Sequence, residues 1–247
     1  MGIEMFGKYW WCGLALLQFS FFTSACATET SDAKTPCLRT GAGYELADYV
    51  FNYDAAKLED AIRDYREPGT KSLAIAEALV FAMHAGNAEA FDILASQGNI
   101  ANTVYCHKPV VVLAAMLEDP YFLRRVLELG ADPNVYDRSR PMYPTPIFAA
   151  IISRNRENFE LLLNAGADME FRTDQNSTAL LDAAMINHWD VVYILLDLGA
   201  NSSAMDKWGR DLTFFLNRDN FDPESEQARW REKVIQKLQS TGQDEAK

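Results

Sequence analysis

Histidine is scarce in this chain, with three among 247 residues: His84, His107 and His188. None has a carboxylate or cysteine at the spacing metal ligation uses, and His107 beside Cys106 is a lone adjacent pair, so no metal site is legible. A Gly-rich phosphate loop, a serine elbow and a Cys–His pairing with supporting spacing are also missing. The chain therefore reads as a non-enzyme without a cofactor. Basic residues are in the minority: 23 Lys and Arg against 35 Asp and Glu give a net charge of −12. That balance excludes ordinary nucleic-acid binding, which needs an excess of Lys and Arg. The acidity suits a basic protein partner, or simply keeps the chain soluble. Long apolar runs are absent too. The run from Tyr9 through Phe22 is interrupted by Cys12, Gly13, Gln18 and Ser20, too short and broken for a membrane span.

What is present is a repeat. Residues 178–203 read as two short helices back to back. Thr178 is a good N-cap for a helix with Leu180, Leu181, Ala183 and Ala184 on its apolar side. Asn187-His188-Trp189-Asp190 breaks it. Val191, Val192, Ile194, Leu195 and Leu196 form the second helix, and Gly199 closes it. Such a pair needs copies on both sides to cover its apolar surface. The closing glycine recurs as Gly98, Gly130, Gly166 and Gly199, separated by 32, 36 and 33 residues. A small residue inside each first helix recurs as Ala82, Ala114, Ala150 and Ala183 with the same separations of 32, 36 and 33. Two landmarks in different parts of the unit drift together, which scattered Gly and Ala would not do.

A turn and two helices at this period resembles the ankyrin repeat. Thr145-Pro146-Ile147 carries the resemblance, with Gly130-Ala131-Asp132-Pro133-Asn134, Gly166-Ala167-Asp168 and Gly199-Ala200-Asn201. It covers residues 70–216 clearly, and the flanks out to 44 and 242 as degenerate caps. The resemblance implies an all-α solenoid of stacked helix-turn-helix units. The second-helix triplets Leu161-Leu162-Leu163 and Ile194-Leu195-Leu196 are expected to glue neighbouring units together.

Residues 1–25 read as an export signal, with Lys8 as a weak positive start and Tyr9–Phe22 as the apolar segment. Its loss removes Glu4 and Lys8 and leaves the charge at −12. Two endings compete. Ala25-Cys26-Ala27 fits signal-peptidase cleavage, whereas Ser24-Ala25-Cys26 resembles the end of a bacterial lipoprotein box with Cys26 as the lipidated residue, although Thr23 departs from that pattern. Either way the expected location is the periplasm, and a lipid on Cys26 would tether the chain to the outer membrane. Residues 26–43 would be a flexible tether. In an oxidising compartment Cys37 and Cys106 could form a disulfide or stay as free buried thiols.

The domain is expected over 44–242, with 243–247 a frayed tail. Two weak helices, Tyr44–Phe51 and Asp54–Arg66, form the N-terminal cap, stopped by Glu67-Pro68-Gly69. Asp137 to Thr145 is three residues longer than the family's turn, which explains the 36-residue interval. It is either a binding finger or neutral drift. A short helix at Leu212–Leu216 and a last one near Ser225–Gln239, with Trp230, Val234, Ile235 and Leu238 on one side, form the C-terminal cap.

Ankyrin domains generally bind proteins, through finger tips and both ends of each first helix. Carried onto this chain, that implies Tyr136, Arg138, Arg140 and Tyr143; Arg154 and Asn155; Phe171, Arg172, Asp174 and Asn176; Asn187 and His188; and Lys207, Trp208 and Arg210. Phe171, Trp189 and Trp208 could instead merely cover the stack. The overall cast is similar to exported ankyrin-type immunity proteins that occlude phospholipase effectors delivered by type VI secretion. The expected partner is such a toxin, bound by a chain that is monomeric when free. A periplasmic scaffold or stress-protection protein is the alternative.

Overall fold

The computed structural model describes residues 41–65, 68–98, 103–105, 108–136, 145–218, 222 and 224–244. The expectations for the export signal, the tether up to residue 40, Cys26, Cys37, Cys106, Arg138, Arg140 and Tyr143 fall outside these residues.

Among the described residues the helices come in six consecutive pairs. The first pair is α1 (Gly41–Phe51) and α2 (Ala55–Asp64), and the second α3 (Pro68–Ala85) and α4 (Ala88–Ala95). The third is α5 (Val110–Ala115) and α6 (Pro120–Glu128), and the fourth α7 (Pro146–Ile152) and α8 (Arg156–Asn164). The fifth is α9 (Ala179–Met185) and α10 (Trp189–Asp197), and the sixth α11 (Leu212–Leu216) and α12 (Glu226–Asp244). Successive first helices pack on one another from α1 to α11, and α10 packs on α12. The result is an all-α row of stacked helix-turn-helix units, the arrangement that the resemblance implied.

The residues that set the register also close the joints. Ala82, Ala114, Ala150 and Ala183 are all fully buried. The carbonyls of Ala82, Ala150 and Ala183 accept the N–H of Asn87, Asn155 and His188 at 2.9, 3.1 and 2.8 Å, which turns the chain from first helix to second. The residue just before each of these is left-handed: Gly86, Arg154 and Asn187 have φ of 67°, 56° and 57°. Tyr53 does the same in the first pair with φ 54°. Asn87 and Asn155 cap α4 and α8 with their side chains and also donate to Val50 and Leu117 carbonyls of the preceding pair, at 2.8 and 2.6 Å. Inside α8, fully buried Asn158 donates to the Leu117 carbonyl at 2.8 Å and the Ala115 carbonyl at 3.2 Å. Neighbouring pairs are thus fixed by hydrogen bonds as well as packing.

Gly130, Gly166 and Gly199 follow the second helices with φ near 88°. Each lets the next alanine N–H reach back to the helix: Ala131 to Val126, Ala167 to Leu162 and Ala200 to Leu195, at 2.9–3.1 Å. Asp132, Asp168 and Asn201 then accept from the N–H two residues on, at 2.8–2.9 Å, and start each turn.

The core is the shared filling of these pairs. Phe91, Phe122, Phe159 and Leu195 are fully buried in the second helices, and Phe148 and Leu181 in the first. Because Ala183 sits at 0 % exposure between helices, Ala183→Leu is expected to overpack the joint and lower stability by about 1–3 kcal/mol. A melting temperature equal to the parent's would contradict this placement.

Several local expectations change. Gly98 is not left-handed. Helix α4 ends at Ala95, three residues earlier, and Ser96 continues in helical geometry, so the second pair lacks the closing motif. Pro68 opens α3 instead of merely ending α2, which stops at Asp64 when Tyr65 turns extended. A proline fits a first helical turn because its missing N–H has no partner there anyway, and Pro120 and Pro146 open α6 and α7 likewise. Helix α1 begins at Gly41, inside the expected tether, and α12 continues to Asp244, past the expected fraying point. Trp189 belongs to α10, with His188 as the capping position. A two-residue antiparallel ladder, Val104–Tyr105 with Lys108–Pro109, lies in the turn before α5, outside the helical core. Among the described residues no helix is long and apolar enough to cross a membrane.

Candidate binding face

The turn that precedes α11 is a rigid stage for one aromatic ring. Asp206, 5 % exposed, accepts at one oxygen from the N–H groups of Trp208 and Arg210 at 2.9 and 3.0 Å. Its other oxygen accepts from Arg210 Nε at 2.6 Å. Burial alone would raise this carboxyl; the hydrogen bonds from Arg210 and Trp208 outweigh it and hold the group below its ordinary range. Gly209, with φ 72°, completes the turn. Trp208 stands on it 60 % exposed, with Lys207 Nζ 4.4 Å and Arg210 Cζ 4.6 Å from its ring centroid. Met205 and Phe214 are exposed as well, and the Phe214 ring lies 5.6 Å from the Arg210 guanidinium.

The turn before α9 is built the same way from different atoms. Thr173 Oγ1 replaces the Asp206 carboxylate and accepts from Gln175 and Ser177 N–H at 3.2 and 3.1 Å. Asn176, φ 57°, replaces Gly209. The two turns are joined: Lys207 N–H donates to the Gln175 carbonyl at 2.8 Å, and Asn176 Nδ2 to the Met205 carbonyl at 2.8 Å. Trp208 thus projects where the fifth pair has only Gln175.

The residues expected at the surface fall into three groups. Lys207, Trp208, Arg172, Asp174, Asn176 and Arg154 are exposed, and Arg210 is half-buried beneath Trp208. Asn155, Asn187, Tyr136 and Phe171 are half-buried. Tyr136 donates to Asp174 at 3.0 Å, and Phe171 packs between Tyr136 and Phe148 at ring distances of 5.0 and 6.3 Å. Phe171 and Asn155 are tied into the stack. His188 is the correction: at 5 % exposure it faces inward, with Nε2 3.5 Å from Asp190. Burial pushes its imidazole below the usual value, against the pull of Asp190. Trp189, fully buried, belongs to the core.

Phe214, Met205, Met185 and Arg218 complete the face and were not legible beforehand. The one available signal was Phe214-Phe215 in a five-residue helix, since so short a helix cannot bury both adjacent rings. Phe215 takes the inside.

Asp182, on α9, lies under this face. Burial raises its carboxyl to about 6, against the hydrogen bond from Ser177 Oγ, with Asp206 adding to the rise and Arg210 opposing it. A raised folded value means the native state holds the proton more tightly. Stability is therefore favoured below the unfolded value and lost as pH rises toward about 6. Asp182→Asn keeps an acceptor for Ser177, so it is expected to gain about 1–3 kcal/mol near neutral pH and almost nothing at about pH 3.5. Melting curves of both proteins across that range check it; an equal gain at both ends would contradict the assignment.

Other surfaces are less suited. A depression of about 710 Å³ on the second-helix side is lined by Leu163, Ile194 and Leu198 among others, but its Arg156 is taken by Glu160 at 2.9 Å. Among the described residues no group of three or more His, Cys, Asp and Glu is placed to hold a metal ion.

Comparison with known proteins agrees with this geometry. Residues 111–206 match the family model described as ankyrin repeats, in three copies. The chain is 30 % identical over 101 residues to an ankyrin repeat protein of Acanthamoeba polyphaga mimivirus, a stretch covering 40 % of this chain and 62 % of that protein. It is 37 % identical over 97 residues to human neurogenic locus notch homolog protein 4, covering 39 % of this chain and 5 % of that protein. It is 32 % identical over 87 residues to the human SH3 and multiple ankyrin repeat domains protein 2, covering 35 % of this chain and 5 % of that protein. The chain thus spans less than two thirds of the length of each of these relatives.

Proposed function

We propose, on the premise that residues 111–206 of this chain are ankyrin repeats, that it is an exported protein-binding module acting as an immunity protein. Its partner is a phospholipase effector delivered into the periplasm by type VI secretion, and its mechanism is occlusion. The solenoid covers the mouth of the toxin's active site, and tight binding suffices without chemistry of its own. The observation that carries the reading is Trp208, held 60 % exposed on a fixed turn between two cations. Trp and Arg dominate binding hot spots, so an exposed indole flanked by two cations suits a binding face. A preorganised turn also loses little entropy on association. Lipidation at Cys26, or cleavage after Ala27, would place the chain where such a toxin acts.

The test is co-expression with a periplasm-directed phospholipase encoded beside the gene. Cells carrying the full chain survive, and the purified chain inhibits the lipase at one-to-one stoichiometry. Undiminished lipase activity and unprotected cells would overturn the immunity reading.

A further inference from the structure

The chain carries 35 acidic residues against 23 basic, so a cation on its surface should readily find a carboxylate. On the second helices that happens. Arg125 pairs with Asp92 and Glu128, Arg156 with Glu160, and Lys237 with Asp197. Arg154, Arg172 and Arg218 behave differently. Arg154 Nη2 donates to the Ile186 carbonyl at 2.6 Å, and Arg218 Nη1 to the Met185 carbonyl at 3.4 Å. Arg172 Nη1 donates to the carbonyls of Asn176 and Met205 at 3.0 and 3.2 Å. None of the three has a carboxylate partner among the described residues. A guanidinium carries five N–H groups in a planar fork, so each keeps donors in the geometry that grips a carboxylate. The backbone bond fixes the side chain beforehand.

Their placement forms a pattern. Arg154 and Arg218 arrive from the fourth and sixth pairs and converge on adjacent carbonyls at the C-terminal end of α9. Arg172 sits at the other end, on the turn that leads into α9. Seven residues of helix separate the ends, a span of about 10 Å. Met185 and Phe214, 42 % and 47 % exposed, lie on the same pair of first helices.

We propose that this face binds an acidic segment of a polypeptide, two carboxylates about 10 Å apart seated on the arginine ends and an apolar side chain beside them on Met185 and Phe214. The inference rests on the protein-binding reading and names the chemistry of the partner. Charge complementarity selects it: three guanidiniums without a carboxylate partner among the described residues meet on this face, on a chain otherwise rich in carboxylates. Nucleic acid offers the same sign of charge but meets the repulsion of the remaining acidic surface.

The test uses the full chain to select from a library of displayed random peptides, followed by fluorescence anisotropy with the selected peptide and with oligothymidylate. The double variant Arg154→Asn/Arg218→Asn removes both charges. Asn187 already holds the left-handed position equivalent to Arg154, so Asn keeps the backbone, and an unchanged melting temperature confirms it. The expected peptides carry two Asp or Glu residues with an apolar residue beside them. They bind the double variant at least about tenfold more weakly, and more weakly as salt rises. Basic or uncharged peptides, equal binding by the double variant, or oligothymidylate binding as tightly as the peptide would each overturn the inference. Uncharged peptides that bind the parent and are lost in Trp208→Ala would do so while leaving the protein-binding reading intact.

Discussion

Leu195→Ala is expected to lower the stability of the chain by about 2–5 kcal/mol, the largest single effect on folding among the changes considered. Leu195 is the central residue of Ile194-Leu195-Leu196 on α10 and has no exposed surface. Its neighbours in the triplet are only partly buried against the core. Removing the isobutyl group leaves a cavity that flanking helices cannot fill, because α10 is held at its start by Gln227 of α12. Gln227 Oε1 accepts from Trp189 N–H at 2.7 Å, and its amide donates to Asp190 at 3.0 Å. The control is Leu198, the same residue type three positions on but 52 % exposed, whose replacement by Ala is expected to stay within about 0.5 kcal/mol. Thermal or urea unfolding of the two variants separates the cases. Equal loss at both positions would mean that stability does not reside between the units.

Trp208→Ala is expected to do the reverse, leaving folding intact and weakening the partner by about 2 kcal/mol or more, roughly thirtyfold. The turn under Trp208 is fixed by Asp206 through the backbone N–H of residue 208, which any residue supplies, and through Arg210. Losing the indole removes no buried contact of the core. It removes an apolar surface already stripped of freedom and flanked by Lys207 and Arg210, so the energy it would contribute is available to a bound protein. Inhibition of the proposed phospholipase partner by parent and variant, with melting temperatures measured alongside, checks this. Full inhibition by the variant would remove Trp208 from the interface.

Much of this architecture was legible before any coordinates. Alanines 82, 114, 150 and 183 and the glycines at 130, 166 and 199 announce the period because each is required by backbone geometry: an approach too close for a larger side chain, or a positive φ. Thr178 caps α9 by accepting from Leu181 N–H, as its position implied. The failures share a different cause. Gly98 shows that a glycine at the right interval need not take the left-handed role when the helix before it stops early. Pro68 is ambiguous because one residue can both follow a helix and open the next. His188 and Trp208 were both placed at the surface by analogy, yet one is buried and one exposed. Apolar pattern cannot make that distinction, since exposure depends on which neighbours close over a side chain. Phe214 and Phe215 are identical in sequence terms and opposite in space. The arginines at 154, 172 and 218 were visible as charges, but that they bond to carbonyls and to no carboxylate among the described residues is a property of the assembled stack.

Site-specific photocrosslinking tests whether the row of helical pairs grips another protein by its first-helix side. A photoreactive amino acid replaces Trp208 in one protein and Leu198, on the second-helix side, in another, and each is irradiated in cells producing the proposed phospholipase partner. A one-to-one crosslink to the proposed phospholipase partner is expected from position 208 and none from position 198. A crosslink from 198 with none from 208 would contradict a first-helix grip.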